Sequence, residues 1–301
     1  SAEQTENFDW GMETKIVICK ACGAESVYDA LELASVCPFC GSNQVMEASD
    51  QNAMVPGGVV PFQITDEKAS ALFRTWIKKK WFCPNLAKES AKAKHFKGIY
   101  LPYWTFDADT SSSYTGEFGK DKVRKGANGQ DKVHTTWYPV EGSYEERFDD
   151  ELICASANHN LLMLQRLEPY HTAENKAYKP EYLAGFAAER YGLGISNAWE
   201  LTQDSIRFQI KKNIEDDIKN RYRADRVKDL KVNTIFCNMT YKYLLLPVWL
   251  SNYTYKGRVY RFMVNGQTGK VAGGTPVSKP KVIFAITAVL LMAALLLWML
   301  R

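Results

Sequence analysis

Gly98-Ile-Tyr-Leu-Pro-Tyr-Trp104 returns later in the chain as Tyr243-Leu-Leu-Leu-Pro-Val-Trp249. Each copy leads through an aromatic-rich stretch to Tyr-x-Gly, at Tyr114-Thr-Gly116 and Tyr255-Lys-Gly257. Both read as strand, turn and strand, the second running through Val259-Tyr-Arg-Phe-Met-Val264 into an Asn265-Gly266 turn. Leu-Pro-x-Trp in matched surroundings predicts a duplicated β-unit. Proline lacks an N–H, so Pro102 and Pro247 predict edge strands or strand starts. Trp104 and Trp249 are read as core.

Helices fill the rest. Val59-Val-Pro-Phe-Gln-Ile64 predicts a short strand, and Thr65, Asp66 and Glu67 a helix start, a cap followed by acids. Ala69, Leu72, Phe73, Trp76 and Ile77 then recur at helical spacing, and Lys78, Lys79 and Lys80 close that helix. A second helix is expected from Asn85 to Phe96, exposing Lys88, Lys92 and Lys94. Between the repeats, Ser196 predicts the cap of a long helix. There Ile206, Ile210, Ile214 and Ile218 form one apolar ridge, expected to pack on the sheet. The fold class is α+β, with a central antiparallel sheet carrying helical insertions.

Near the start, Cys19-Lys-Ala-Cys22-Gly23 and Cys37-Pro-Phe-Cys40-Gly41 repeat one element. Zinc takes four soft ligands in a tetrahedron, and a Cys-x-x-Cys turn supplies two from one side. Gly23 and Gly41 stand where such a turn needs a residue tolerant of positive φ. The intervening Ala24 to Val36 suits a small β-hairpin. This is the zinc-ribbon pattern, with Cys19, Cys22, Cys37 and Cys40 holding one structural Zn2+. A redox pair needs a single copy beside a βαβ unit, which is missing, and disulfides do not persist where thiols are kept reduced. Four cysteine ligands leave no open position for a catalytic water. Cys83, Cys154 and Cys237 each sit among large apolar residues and are read as buried thiols.

Val282 to Leu300 carries no charge over nineteen residues. As a helix it is about 28 Å long, close to the hydrocarbon thickness of a bilayer. Lys279, Lys281 and Arg301 flank it, with Trp298 at an interfacial position. A core helix would show an amphipathic stripe, and none is visible. Arg258, Arg261, Lys270, Lys279 and Lys281 precede the span and only Arg301 follows, so the bulk of the chain is expected on the cytosolic side of the inner membrane. The first thirty residues show no secretory signal. Ser1 is not methionine, which leaves room for sequence upstream.

Composition narrows the partners. Apolar residues are 46% and charged residues 24%, which excludes a disordered chain. Lys+Arg number 38 against 34 Asp+Glu, a net +4, and a four-thiolate zinc site would bring this near +2. A nucleic-acid binder carries a stronger basic footprint. Lys78, Lys79, Lys80, Lys88 and Lys92 remain candidates for contact with nucleic-acid or lipid phosphates, against the alternative of a solvated helix face. Gly266-Gln-Thr-Gly269-Lys270 lacks phosphate-loop spacing and reads as a hairpin turn. Four scattered histidines offer no helical metal pair. Asp107 with Asp109, and Asp149, Asp150 with Glu151, could hold a cation but read as turn or surface residues. No catalytic constellation emerges.

The ribbon, the stretches beginning at Val60, Trp76, Gly98 and Leu245, and the Asn265-Gly-Gln-Thr-Gly turn together resemble a bacterial zinc-ribbon membrane protein family. Its members are often labelled primosomal replication helicase-like (TFIIB-type zinc-ribbon-containing, function unknown). The resemblance covers nearly the whole chain. The helicase label does not fit, since there is no phosphate loop and no room for two motor domains. Members often carry a further ribbon upstream, which implies sequence before Ser1. The organisation expected is a flexible segment over 1–14, a ribbon over 15–46 and a linker over 47–58. An α+β domain over 59–272, a juxtamembrane linker over 273–281 and a membrane helix over 282–300 follow. The role expected is a non-enzymatic scaffold or adaptor at a membrane complex, binding a protein partner and the bilayer. Nucleic-acid binding is the alternative, and an enzyme built on the middle domain stays open.

Overall fold

Three stretches interspersed with β-branched and aromatic residues run as strands of 24 to 30 residues. The computed structural model describes residues 10, 13–21, 23–29, 37, 42–47, 54–90, 96–125, 131–156 and 161–299. In chain order they form β1 (Thr14–Cys19), β2 (Glu25–Asp29), β3 (Val45–Glu47), β4 (Gly58–Val59), α1 (Asp66–Lys78) and α2 (Asn85–Ser90). Then come β5 (Lys97–Lys125), β6 (Asp131–Cys154), α3 (Leu161–Gln165), β7 (Lys176–Ala177), β8 (Ala187–Glu189) and α4 (Ile195–Tyr222). β9 (Arg226–Tyr255), β10 (Arg258–Asn265), β11 (Val271–Gly273) and α5 (Lys279–Met299) complete the chain. The architecture is mixed α+β with a large sheet. Two compact units divide it: residues 1–103, 156–192 and 244–301 form one, and 104–155 with 193–243 the other. Strands β5 and β9 each begin in one unit and end in the other.

In the first unit the strands follow the order β11-β10-β9-β5-β8-β2-β1-β3, with β4 pairing both β7 and β9. Most pairs are antiparallel, such as Ile16↔Val27 and Val264↔Trp249. β5 with β8 and β4 with β9 are parallel, which corrects the purely antiparallel expectation. The chain leaves this unit after Tyr103 and re-enters at Ser156, and a parallel pair needs such a long crossover. The strand expected from Val59 to Ile64 shrinks to Gly58–Val59, because Pro61 offers no N–H to extend the ladder. Beyond it the Gln63 and Ile64 amides both donate to the Gly266 carbonyl, at 2.9 Å. α1 forms as expected, with the Thr65 hydroxyl accepting from the Lys68 amide. Ala69, Phe73 and Ile77 are buried, and Leu72 and Trp76 pack beside them.

Asn265 ties this unit together. Its side chain is fully buried at the β10–β11 turn, where Nδ2 donates to the Leu167 and Pro169 carbonyls at 3.0 and 3.3 Å. Oδ1 accepts from the Gln267 and Thr268 amides at 2.8 and 2.9 Å. Gln267 exchanges hydrogen bonds with the His171 backbone and donates to Glu174, which also accepts from Gln63. Those two amides hold the Glu174 carboxyl below the usual carboxylate range. The segment expected as a hairpin turn is therefore a hairpin turn with a structural side chain at its centre.

The second unit is a β6-β5-β9 sheet with α4 lying on it. Ser112 and Thr234 hydroxyls meet at 2.9 Å between β5 and β9, and Thr110 donates to the Glu146 carbonyl at 2.7 Å. The isoleucine ridge packs on the sheet as expected: Ile206, Ile210, Ile214 and Ile218 have no exposed surface and touch Tyr114, Phe118, Val140, Phe148 and Leu230. Ala198 and Thr202 extend the same four-residue row. The helix begins two residues earlier than expected, since Gly194 and not Ser196 is its cap, and no side chain caps it. Its first helical bond runs from the Ala198 amide to the Gly194 carbonyl.

Both repeat segments lie in strands, and both tryptophans are core. The Trp104 ring N–H donates to the Leu193 carbonyl at 2.9 Å, and that of Trp249 to Ile64 at 2.7 Å. Their prolines are not at edges or starts, because β5 and β9 are interior strands. Pro247 is tolerated where one ladder ends at Leu245 and the next begins at Val248, so the missing N–H falls in a gap. The two Tyr-x-Gly copies also differ. Gly257 (φ 74°) and Lys256 (φ 50°) make a left-handed turn, whereas Gly116 stays inside β5. A Cβ on Gly116 would come 3.2 Å from Leu230 Cα, so close strand approach explains that glycine.

Two substitutions test these cores by urea unfolding of the detergent-solubilised chain. Ile210→Ala should cost about 3 kcal/mol by leaving a cavity, while Lys211→Ala should cost under about 0.5 kcal/mol. Asn265→Ala should cost about 3 kcal/mol, since it strands buried carbonyls and amides without partners.

Candidate functional site

The first cysteine element follows directly on β1, and its described residues are closed by backbone hydrogen bonds. β1 ends at Cys19, whose amide donates to the Ala24 carbonyl at 2.9 Å. Gly23, at φ 74°, donates back to the Cys19 carbonyl at 2.8 Å. The positive φ is the conformation expected of that glycine. In the second element the Cys37 amide donates to the Ser42 carbonyl at 2.8 Å. Cys19 and Cys37 are both buried.

A short relay joins the two. The Ser42 hydroxyl accepts from the Gln44 amide at 3.1 Å, and the Gln44 carbonyl accepts from Lys20 at 2.8 Å, next to Cys19. β3 then continues antiparallel to β1, with Cys19 opposite Val45. β2 pairs with β1 on its other side and with β8. The hairpin expected within Ala24 to Val36 thus has its described strand, β2, paired to β1, and residues 30–36 lie outside the described residues. Cys22 and Cys40 lie outside them too, as does the segment expected to be flexible, apart from residues 10, 13 and 14. Among the described residues no group of three or more His, Cys, Asp or Glu is gathered to hold a metal.

The remaining cysteines divide. Cys83 and Cys154 are buried as expected, and burial pushes the Cys83 thiol up despite Lys88 and Lys281 nearby. Cys237 is exposed, correcting the expectation. Strand alternation explains it: Phe236 turns toward the α4 cluster, leaving Ile235 and Cys237 on the opposite, open face.

The acidic candidates are engaged in the protein's own hydrogen bonds. Asp107 accepts from the Asp150 amide at 2.9 Å and from the Thr240 hydroxyl at 2.7 Å. Burial pushes its carboxyl up, but these donors and Lys242 win and hold it below the usual range. Asp109 accepts from Asn238 at 2.8 Å and lies 4.0 Å from Arg147. Asp150 and Asn238 sit at φ 52° and 51°, so these contacts brace two local distortions of the strands. Glu151 is shifted up by burial, with Glu146 adding repulsion. These residues lie within β5 and β6 and, Asp149 apart, are half-buried, which corrects the turn or surface reading. His171 uses its backbone in the Asn265 network, and His95 and His159 lie outside the described residues.

Of the lysines singled out, Lys78, Lys79 and Lys80 are exposed at the end of α1. Lys80 lies 4.6 Å from the Trp76 ring centre, and the half-buried Lys88 donates to the Lys78 carbonyl at 2.9 Å. α2 is described to Ser90 and Phe96 is not helical; residues 91–95, with Lys92 and Lys94, lie outside the described residues. Lys281, which the sequence marked only as a flank, donates to the Cys83 carbonyl and to Asn85 Oδ1, both at 2.9 Å. Trp81 and Phe82 are exposed beside that junction.

α5 spans Lys279–Met299, with none of its residues buried. The described fold defines a mixed α+β protein carrying a C-terminal helix long and apolar enough to cross a membrane. No family model and no solved structure matches this chain. It is similar to the uncharacterized protein YdjG of Bacillus subtilis (strain 168), at 30% identity over 231 residues. The match covers 76% of this chain and 66% of YdjG, so the chain spans just under two thirds of that relative's length.

The Asp107 contacts carry a pH signature. A carboxyl held below its unfolded value stabilises the fold above that value, near 3.8, and the contribution fades as pH falls through the folded value. Asp107→Asn should therefore flatten the acid limb of a stability-versus-pH curve below about pH 4 and lower stability at pH 7. An unchanged acid limb in the variant would contradict the reading.

Proposed function

We propose that this chain is a membrane-anchored, zinc-binding scaffold or adaptor that presents a zinc ribbon and an α+β domain to a protein partner or membrane complex. The observation that carries it is α5, a helix of bilayer length with no buried side chain, joined to a folded mixed α+β body. Arg258, Arg261, Lys270, Lys279 and Lys281 precede the helix, which favours a cytosolic body and the inner membrane. The paired Leu-Pro-x-Trp strands, each with its tryptophan N–H on a backbone carbonyl, are consistent with a duplicated β-unit.

Zinc on Cys19, Cys22, Cys37 and Cys40 is supported by the spacing, by Gly23 in its left-handed turn and by the hydrogen-bonded relay between the two elements. Cys19 and Cys37 are buried, and thiolates are the ligands a structural zinc ion takes. The metal supplies folding energy, on the order of 10 kcal/mol, to three short strands with little core of their own. Elemental analysis of the purified chain should give one zinc per chain. The Cys19→Ser/Cys37→Ser variant should hold none and lose protease resistance in its first fifty residues. Metal-free wild type with an intact, resistant N-terminal region would overturn the zinc assignment.

Nucleic-acid binding by Lys78, Lys79, Lys80, Lys88 and Lys92 is the second reading, favoured by the exposed cations closing α1. A mild-detergent pull-down after nuclease separates the two. The adaptor reading expects a stoichiometric protein that survives nuclease and is lost with the cysteine variant. Nucleic acid recovered only before nuclease, with affinity falling steeply in salt, would favour the second.

A further inference from the structure

We propose that a basic cleft at the root of α5 binds the phosphate of an anionic phospholipid headgroup in the bilayer that the helix enters; this rests on the membrane-anchor reading. Three separate parts of the chain meet there. The β9–β10 turn supplies Tyr255, Lys256, Arg258 and Tyr260, the approach to the helix supplies Ser278, and the first helical residue is Lys279. Together with neighbouring prolines and Val277 they line a half-open cleft of about 740 Å³, enough for a headgroup. No carboxylate lines the cleft, and among the described residues Lys256, Arg258 and Lys279 make no ion pair. Three cations without a counter-charge in one concavity raise the local concentration of anions.

The cleft has a fixed height relative to the helix. Lys279 opens α5, so its ammonium stands at the end of the apolar span, where headgroups lie. The position is braced: Lys281 holds the Cys83 carbonyl and Asn85, and the Ser278 amide donates to the Phe82 carbonyl at 2.9 Å. These bonds seat Trp81 and Phe82 at the helix root, exposed by 51% and 46% in edge-to-face contact, as interfacial aromatics would be. On the turn, Lys256 is kept in the left-handed conformation and lies 5.7 Å from the Tyr255 ring centre. Val259, 59% exposed, projects from the same hairpin. Aromatic and aliphatic groups at the surface level with cations among them describe a headgroup seat, where each Lys or Arg adds to anionic-lipid attraction.

The test uses the full chain in nanodiscs of phosphatidylcholine containing phosphatidylglycerol, with bound lipid counted by native mass spectrometry after gentle release. Wild type should retain phosphatidylglycerol in preference to phosphatidylcholine. Lys256→Ala/Arg258→Ala/Lys279→Ala should lower that retention by about tenfold or more. The charge-matched Lys211→Ala/Lys212→Ala/Lys231→Ala control should leave it unchanged. Equal loss in both variants, or no preference in wild type, overturns the cleft. Displacement of the lipid by millimolar inorganic phosphate would assign the site to free phosphate and overturn the lipid assignment. Carbonate resistance of the membrane-bound chain is scored separately: its failure sinks the anchor reading, whereas its success without lipid preference sinks the cleft alone.

Discussion

Thirteen of the twenty-one residues of α5 carry large apolar side chains, pointing in every direction, and none of them is buried. In water each of these costs about 1.5–3 kcal/mol relative to an apolar medium, so the helix is stable only where hydrocarbon or another apolar surface surrounds it. A 21-residue helix also satisfies its own backbone, as a bilayer requires. Everything near its root is arranged around that constraint. Polar anchors appear immediately before the apolar run: Lys281 on Cys83 and Asn85, and Ser278 on Phe82. The body is thereby fastened to the helix by short hydrogen bonds as well as by the chain.

Inside the first unit a different economy holds. Asn265 replaces apolar packing with four hydrogen bonds from one buried side chain, and Gln267 and Glu174 carry the network on to Gln63. Such a satisfied network fixes the turn, the 167–175 segment and the 61–64 segment together. The second unit is apolar by contrast, with one isoleucine row set on three strands. The carboxylates of Asp107, Asp109 and Asp150 all accept hydrogen bonds from within the protein.

What could be read from sequence was whatever rests on local periodicity. The Ile206–Ile218 row, the Thr65 cap, the Asn265 hairpin and the apolar tail each declare themselves within a few residues. Long-range pairing does not. Pro102 and Pro247 suggested edges because the chain alone does not reveal that β4's ladder ends at Leu245 and β10's begins at Val248. Ser196 resembled a cap, yet the helix starts two residues earlier, with Gly194 in extended conformation as its cap. Cys237 looked buried among Ile235 and Phe236 because the open face of β9 appears only once α4 covers the other. Of the candidate zinc ligands, Cys19 and Cys37 are among the described residues and buried, while Cys22 and Cys40 lie outside them. The cleft at the helix root was illegible, since Lys256, Arg258 and Lys279 come together only through the hairpin and the helix junction.

Exposed Cys237 provides the most direct measurement of the central claim, that a cytosolic body is carried by a C-terminal membrane helix. A membrane-impermeant maleimide is applied to intact spheroplasts and, in parallel, to inside-out membrane vesicles, and the peptide containing Cys237 is read by mass spectrometry. The account predicts labelling in the inside-out vesicles and none in spheroplasts. Labelling of Cys237 in intact spheroplasts would contradict it, as would recovery of the full chain in the soluble fraction.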